Sequence, residues 1–545
     1  MNGIYASRPI PVSLKEQMKR IIDPSLFENY LSDESKIIEG KATEVVLPRS
    51  EQEVSEILKK SNLESIHVTI SGAGTGLTGS RIPTDGIVLS TEELTEVATK
   101  PSKKEEVLWY EENGKTYSII IGKEDGNYYS TAPPAIPIAI FEKIIERKNL
   151  IYPPDPTETN AFLGGTIATN ASGSRTFFYG PTRNFVRRLR VVLPNGDVLN
   201  VKRGETFAEE SKFVITLTNG EKREIQIPNY VMPNVEKNSA GYYVKPGMDL
   251  IDLFIGSEGT LGVFSEIEVK LIEKPKGIVP IFAHFKKEDD SIKFFKKLRS
   301  LSKSEELKVL SIEFFDSHSV DFLKQKYSTS KIPKNSRSII DFELEIQNIE
   351  KKDDVLEYVS DFLLDCDMLD AFVMSETDAK EIRHSLPENI NGFIRSHGTE
   401  KTASDVAVPE DAFDAMWEWY HKIAEETSIG YVIFGHIGNF HLHFNFLPVN
   451  NEELVTAQKA IVSILKKAVE LGGTITAEHG IGKKYYMKDN ETKPLISIMY
   501  KQEDLIQIGK VKHEIDVNCI LNIGNVIPRE LITSSGSQLG KETIS

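Results

Sequence analysis

The sequence predicts an α+β fold in two large domains, and three observations carry that prediction. First, TEVVLP (43–48), SEQEVSEILKKSN (50–62) and IHVTIS (66–71) read as strand, amphipathic helix and strand. Glycines follow at once, Gly72, Gly74, Gly76 and Gly79, so a small α/β unit carries a glycine loop at a strand's C-terminal end. Second, residues 151–275 are strand-like with many turns, and RLRVVLPNGDVLNV is a hairpin over Asn195-Gly196. Third, residues 278–376 read β-α twice: IVPIFAHF before a Lys-rich helix, and SIIDFELEI before DDVLEYVSDFLLD. That is a two-layer α+β sandwich.

The totals agree. At roughly 150 residues per domain, 545 residues make three or four compact units or two large ones. Hydrophobic residues are 40% and charged residues 27%, enough for a substantial core. The net charge of −16 argues against nucleic acid as the main partner, because phosphate binding needs clustered cations. Cys366 and Cys519 are the two cysteines. They exclude a disulfide framework, a four-cysteine zinc site and an intrinsic iron–sulfur cluster. The first residues lack a signal-peptide pattern, and no run of 18 apolar residues occurs. The expected location is cytoplasmic, with peripheral contact at the inner face of the membrane left open.

The remaining elements follow in order. GIVLS (86–90) is a short strand, and the charged stretch 100–130 reads as a β-hairpin. Pro133, Pro134 and Pro137 lead into a helix near 138–148. FSEIEVKLIEKP (264–275) closes the strand-rich region, and the prolines and lysines at 274–276 mark a boundary. Helices are expected at 378–385 and 410–426, a strand-turn-strand rich in histidine at 430–447, and a long helix over 451–471. Residues 486–530 turn from helical to turn-like, and the tail from 531 is expected to be disordered.

Gly74-Thr75-Gly76-Leu77-Thr78-Gly79 matches GxGxxG after a strand. A dinucleotide loop of the Rossmann type must open a long helix, however, and here Arg81 to Gly86 leads into another strand. The better reading is a nest, in which left-handed glycines turn successive backbone N–H groups onto an anion. Two further segments of low bulk, 163–173 and 255–262, let backbone approach a large flat ligand.

Three of the 11 histidines, His436, His441 and His443, lie within eight residues. On a strand, 441 and 443 face the same way, and the turn at Gly438 folds His436 back toward them. Thr476-Ala-Glu478-His479-Gly480 adds a carboxylate and a further imidazole. Nitrogen and oxygen ligands of this kind suit a divalent metal.

Taken together, Ser71-Gly-Ala-Gly-Thr-Gly-Leu-Thr-Gly79, Pro154-Asp-Pro156, Gly165-Thr-Ile-Ala-Thr-Asn-Ala-Ser-Gly173, Tyr179-Gly-Pro-Thr-Arg183 and Gly256-Ser-Glu-Gly-Thr-Leu-Gly262 resemble the PCMH-type FAD-binding domain of the vanillyl-alcohol-oxidase superfamily. The branch they resemble holds D-lactate dehydrogenase, the flavin subunit of glycolate oxidase and D-2-hydroxyglutarate dehydrogenase. The likeness runs over about residues 40–275 and 380–526.

The resemblance implies two α/β subdomains binding FAD and a cap domain with a ferredoxin-like sandwich. The boundaries are 1–37 for an N-terminal extension, 38–275 for the FAD domain, 276–485 for the substrate (cap) domain, 486–530 for a segment returning to the FAD domain and 531–545 for the tail. It implies FAD contacts from Ser71, Gly72, Ala73, Gly74, Thr75, Gly76, Leu77, Thr78 and Gly79, then Pro154, Asp155, Gly165, Thr166, Thr169, Asn170, Ser172 and Gly173. Tyr179, Gly180, Glu258, Gly259, Gly262 and Asn522 complete that set. No histidine lies in 71–81, so covalent linkage there is not expected and FAD is dissociable.

The branch's Gly-His-x-Gly-Asp-Gly-Asn-x-His pattern makes His436, His443 and Glu478 ligands of a divalent metal (Zn, Mn or Fe), and His479 the base. The chain departs at Asn439, Phe440 and His441, so His441 is placed at the substrate or in the metal shell. Arg383 and Lys401 are the expected grips for the substrate carboxylate. The residues 96–138 also depart from the family's usual text.

The implied reaction is oxidation of a D-2-hydroxy acid to the 2-oxo acid, with hydride passing to flavin N5. An alkyl-dihydroxyacetone-phosphate (ether-lipid) synthase and a non-catalytic flavoprotein subunit are the alternatives; a metallohydrolase would leave the glycine loops without a purpose. The electron acceptor is oxygen, a quinone, a cytochrome, an electron-transfer flavoprotein or an iron–sulfur subunit. A homodimer stays open.

Overall fold

The computed structural model describes residues 18–35, 37–217, 220–303, 307–346, 350, 352–364, 366–488 and 491–532. The expected tail beyond 532 and residues 1–17 and 36 of the N-terminal extension lie outside the described residues.

The glycine loop grows from a small, mostly parallel sheet. Its order is Lys19–Ile21, Glu44–Leu47, Ile87–Ser90, Val68–Ser71. The last three are parallel and the first is antiparallel to its neighbour. Val45, Val46, Leu47, Val68, Val88 and Leu89 are all buried, as parallel strands covered on both faces require. The crossover helix Glu51–Leu63 begins where Ser50 accepts a hydrogen bond from the Glu53 amide. It buries Val54, Ile57 and Leu58. The loop after Ser71 therefore stands at the carboxyl edge of a parallel sheet, where ligand crevices open.

A second, antiparallel sheet has the order Val198–Lys202, Val186–Val192, Val263–Glu273, Asn127–Ala132, Lys115–Glu124, Glu106–Glu112. The Asn195-Gly196 turn joins the first two strands, with Gly196 at φ +86°. The charged stretch 100–130 forms three strands where one hairpin was expected. Asn113-Gly114 and Asp125-Gly126 both have positive φ at each residue, the signature of type I′ turns. Each is a hairpin signal, and the two in series make a meander.

The third sheet runs Asp370–Val373, Gly277–Phe285, Ser338–Ile346, Val309–Phe315, Tyr431–Gly435, His441–Phe446, Thr402–Ala403. Alternation decides its faces. Ile340, Phe342 and Phe314 pack with Phe294, Phe295 and Trp417, from helices Glu288–Lys303 and Phe413–Thr427. Phe282, Ile339 and Phe315 pack with Val320 and Ile382, from helices Ser317–Lys326 and Glu376–Ser396. Helices cover both faces, so the expected two-layer sandwich gains a third layer.

Helix Glu376–Ser396 also runs past the expected end at 385, with Pro387 inside it. Proline cannot bond the carbonyl four residues back, which here belongs to Arg383. Burial of Ile382, Leu386, Ile390 and Ile394 on one stripe holds the helix through that defect.

The C-terminal segment returns to the first sheet. Leu521 bridges Val68 in parallel, Val68 N donates to Ile520 O at 2.8 Å, and Ile70 N donates to Asn522 Oδ1 at 2.7 Å. No described helix is long and apolar enough to cross a membrane.

Candidate active site

A cleft of about 1360 Å³ lies between the glycine loops and the cap sheet. One wall is backbone. Residues 72–78 line it, and from Ala73 to Thr78 no backbone N–H donates to another described group. Gly74 and Gly79 hold positive φ at either end of this run. A series of free amides at a sheet's carboxyl edge is an anion cradle, and a diphosphate fits it. Small residues continue the wall: Gly165, Thr166, Thr169 and Ser172 on one side, Gly259 and Gly262 on the other. These observations fit an extended dinucleotide such as FAD.

The expected cofactor residues separate into two groups. Gly72, Ala73, Gly74, Thr75, Gly76, Leu77, Thr78, Asp155, Gly165, Thr166, Thr169, Ser172, Glu258, Gly259, Gly262 and Asn522 all line the cleft. Ser71, Gly79, Pro154, Asn170, Gly173, Tyr179 and Gly180 do not. Asn170 instead accepts from the Arg183 amide at 3.0 Å. A Cβ on Gly173 would fall 1.9 Å from Asp155 O, so Gly173 lets two backbone segments touch. Tyr179 and Gly180 end the short helix Thr176–Tyr179, whose neighbours are strand Val309–Phe315 and Asn184 rather than the cleft.

Glu258 lines the cleft, yet its carboxylate is fully engaged. It accepts from Ser80 Oγ at 2.6 Å, Ile481 N at 2.7 Å and Gly482 N at 2.8 Å. It ties the Glu478-His479-Gly480 loop to the first glycine loop.

The opposite wall is made of side chains. Strands Tyr431–Gly435 and His441–Phe446 pair with Phe434 opposite His443. Gly435 sits at φ +120°, and a Cβ there would lie 2.8 Å from His443 Cδ2. Phe440 takes left-handed backbone, φ +53°, where the resembling pattern has glycine. Its ring repays that strain by packing on Phe295, Phe413 and the Arg299 guanidinium, 4.3 Å away.

His436, His441, His443 and Glu478 each offer one donor atom within 4.8 Å of the others. Glu478 Oε2 lies 3.5 Å from His436 Nε2 and 3.9 Å from His441 Nδ1, and Oε1 lies 3.5 Å from His443 Nε2. Carboxylates stand behind two of the rings: Glu313 on His436 Nδ1 at 2.8 Å, and Asp405 on His441 Nε2 at 2.8 Å. His441 Nδ1 is buried without a hydrogen-bond partner and faces Glu478. Carboxylate-backed imidazoles converging on a carboxylate, with one orphaned nitrogen, fit a divalent metal. Burial works against ionising Glu478, but Lys237 and the facing histidines hold its carboxyl well below the usual range. Burial pushes His441 down to about 3 and lowers His443, which leaves both neutral, whereas Glu313 and Glu478 outweigh burial at His436 and raise it to about 9. His441 does not line the cleft and is fully buried, and its ring belongs to the metal-capable group.

His479 lines the cleft beside this group. Asp405 Oδ2 is 3.1 Å from its Nδ1, and Nε2 is 3.7 Å from Glu478 Oε1. Asp405 also accepts from Thr476 Oγ1 at 2.6 Å and the His479 amide at 3.0 Å. Its carboxyl is buried, yet His479 and His441 hold it well below the ordinary range.

Arg383 and Lys401 both line the cleft. Arg383 Nη2 donates to Glu343 Oε1 at 2.9 Å, and Nη1 lies 3.5 Å from Asp341 Oδ2 without a hydrogen bond. Arg175 holds the other Glu343 oxygen at 2.7 Å. Lys401 and Lys484 face the same cleft, and neither ammonium has an ion pair among the described residues. Burial lowers both, Lys484 further lowers Lys401, and Asp405 opposes both shifts.

Sequence reasoning did not single out Lys237, Glu313, Asp341, Glu343, Asp405 or Lys484. All but Lys484 act through a partner far away in the chain, and Lys484 reaches the cleft only through the fold, so no local spacing marks any of them.

Comparisons with known proteins agree with this arrangement. Residues 274–526 match the family of FAD linked oxidases, C-terminal domain, and residues 42–108 and 114–202 match the FAD binding domain. The glycolate oxidase subunit GlcD of Bacillus subtilis is 26% identical over 96% of this chain and 98% of its own. A D-lactate dehydrogenase of Anaerostipes hadrus is 28% identical over 93% of this chain and 94% of its own. The mitochondrial D-2-hydroxyglutarate dehydrogenase of Danio rerio is 25% identical over 94% of this chain and 83% of its own. Among solved structures, an alkyldihydroxyacetonephosphate synthase superposes with TM-score 0.63 at 16% identity, covering 95% of this chain and 83% of that one. The 4-ethylphenol oxidase of Gulosibacter chungangensis gives 0.62 at 16%, covering 94% and 95%. Those two likenesses show the fold. With both domain families matched in order around the cleft, the chain belongs to the PCMH-type FAD-linked oxidase superfamily and is an FAD-linked oxidoreductase.

Proposed function

We propose that the chain oxidises a D-2-hydroxy acid to the 2-oxo acid. The observation that carries this reading is the His479–Asp405 pair, beside the four-donor group on the cleft that Arg383 and the free amides also line. Asp405 takes the Nδ1 proton of His479 as a hydrogen bond, which leaves Nε2 as the basic nitrogen facing the cleft. That nitrogen receives the substrate's hydroxyl proton. Arg383 has one buried donor, Nη1, without a hydrogen bond, and a substrate carboxylate supplies the acceptor. Glu343 and helix Glu376–Ser396 fix the guanidinium so that it orients the acid. When bound, FAD would supply the hydride acceptor, and a divalent cation (Zn, Mn or Fe) held by His436, His443 and Glu478, with His441 as further nitrogen donor, would supply a Lewis acid for the hydroxyl.

The relatives named above act on glycolate, D-lactate or D-2-hydroxyglutarate by their names. Lys401 and Lys484, two cations on the cleft without an ion pair among the described residues, favour an acid with a second anionic group. Electrons then pass to an acceptor outside the chain, since two cysteines cannot hold a cluster.

The test is an anaerobic visible spectrum of the flavin-loaded protein before and after a panel of 2-hydroxy acids in both enantiomers. Bleaching by D- and not L-acids supports the reading and ranks the substrates. A flavin band that no acid bleaches overturns it and moves the chain to the synthase or binding-subunit reading.

A further inference from the structure

The ammonium of Lys237 is fully buried against Glu478, the carboxylate shared by the four-donor group. Nζ donates to Glu478 Oε2 at 3.2 Å and to the Gly173 carbonyl at 3.1 Å. Ser172 Oγ donates to the same Oε2 at 3.1 Å. Two donors thus occupy Oε2, while Oε1 is left facing His443 and His479. Ser172 lines the flavin-side wall of the cleft and Glu478 belongs to the metal-capable group, so one carboxylate is held from both sides.

The chain around Lys237 strengthens the bridge. Asn170 Nδ2 donates to Asn238 O at 3.4 Å on the flavin side. On the other side, Thr474 Oγ1 donates to Asn238 Oδ1 at 2.6 Å, Ser239 N to Thr476 O at 3.0 Å, and Ser239 Oγ to Ala477 O at 3.1 Å. Residues 237–239 are stitched to the second glycine segment and to the Glu478 loop at once.

We infer that Lys237 is a positioning residue that couples FAD binding to metal binding. Ordering of the Ser172-Gly173 backbone by the flavin fixes the carbonyl that holds the ammonium, and the ammonium fixes the carboxylate that completes the metal site. Coupling of this kind is reciprocal, so the metal tightens FAD by the same factor as FAD tightens the metal. The inference rests on the metal site proposed above.

The experiment measures FAD affinity by flavin fluorescence in chelator-treated and Zn²⁺-loaded protein, and Zn²⁺ affinity by chelator competition with and without FAD. Wild type is expected to show the same factor both ways, about 10-fold, within the range typical of coupled sites. Lys237→Met, close in length and without charge, is expected to reduce that factor to under about 2-fold, whatever it does to either affinity alone. Ser172→Ala removes one hydroxyl and keeps the ammonium, and is expected to reduce the factor by about half or more.

Absence of coupling in wild type, absence of Zn²⁺ binding, or full coupling in Lys237→Met overturns the inference. If Lys237→Met does not fold, wild-type coupling in Ser172→Ala overturns it instead. Flavin bleaching by a D-hydroxy acid is read separately. A chain that bleaches but shows no coupling loses only the role of Lys237; one that couples but does not bleach loses the substrate reading and keeps that role.

Discussion

The two walls of the cleft recognise by different means. The flavin-side wall is backbone: free amides from Ala73 to Thr78, and small residues at 165–172 and 259–262. The cap-side wall is side chain: Glu313, Glu343, Arg383, Lys401, Asp405, His436, His443, Glu478 and His479 come from separate strands, helices and loops. A backbone wall needs glycines at fixed offsets in one stretch of chain, and it serves any ligand with the right phosphate and ring shape. A side-chain wall needs long-range pairs, and each pair sets charge, protonation and direction for one substrate. Cofactor identity therefore resides in local text, and reaction chemistry in contacts between distant residues.

The comparison breaks most sharply at His479. His479→Ala removes the basic nitrogen and leaves the glycine loops untouched. The expected outcome is a fall in kcat of about 10²–10⁴-fold, with FAD affinity within about 2-fold of wild type. Rapid anaerobic mixing with substrate reads the first quantity, and flavin fluorescence titration the second. Lost FAD at unchanged kcat would show that the two walls do not divide the work in this way.

The converse lesion is Gly173→Ala. Its Cβ would meet the Asp155 carbonyl at 1.9 Å and the Pro154 carbonyl at 3.0 Å, both backbone atoms that cannot rotate away. Overpacking of this kind costs about 1–3 kcal/mol, or roughly 5- to 150-fold. Weaker FAD retention is expected, with kcat largely restored at saturating FAD. Unchanged FAD affinity would remove the close approach of these two segments from the account of the cofactor wall.

This division also explains what could be read from the sequence. Gly74, Gly165, Ser172, Gly259 and Gly262 announce their wall, because low bulk and positive φ are written in residue type. His436, His443 and Glu478 were legible as a group because potential metal donors cluster in two short stretches. Lys237, Glu313 and Glu343 carry ordinary charges in ordinary strands and loops, and only the fold brings them to Glu478, His436 and Arg383. His441 was legible as a departure but not in its placement, since strand alternation gives a face and not a depth. Helix Glu376–Ser396 outran its proline because core burial of its apolar stripe outweighs one missing backbone bond, a tertiary term that local propensity omits. The meander at 106–132 exceeds the single hairpin expected because Asp125-Gly126 adds a second turn after Asn113-Gly114.

A smaller effect sharpens the cap wall's specificity. Lys484→Met removes an ammonium that shares the cleft with Lys401 and has no carboxylate partner among the described residues. A charged hydrogen bond is worth about 1.5–3 kcal/mol, so KM for a D-2-hydroxy dicarboxylate is expected to rise roughly 10- to 100-fold. KM for D-lactate, with no second anion, is expected to change by less than about 2-fold. Equal changes for both acids would assign Lys484 to something other than the second anionic group.

The smallest expected effect distinguishes two carboxyls on one strand face, Asp341 and Glu343. Burial pushes Asp341 up to about 8, Arg383 opposing it only in part. Burial would raise Glu343 too, but Arg383 and Arg175 overcome it and hold that carboxyl at about 2. The pH dependences run in opposite directions. Folded Asp341 binds a proton that the unfolded chain, near 3.8, releases, so its stabilisation is complete below that value and is lost as pH rises through 8. Glu343 stabilises above its ordinary 4.5 and loses that contribution as pH falls toward 2. Asp341→Asn mimics the protonated form, so its melting temperature should lack the part of the wild-type decline between about pH 4 and 8 that Asp341 contributes. Glu343→Gln leaves Arg383 and Arg175 without their shared anion, so it should lower the melting temperature at neutral pH and raise KM for every hydroxy acid. If Asp341→Asn and wild type melt in parallel across that window, Asp341 is ionised beside Arg383. The guanidinium would then be fully neutralised by strand Ser338–Ile346, and the grip on the substrate carboxylate would pass to Lys401 and Lys484.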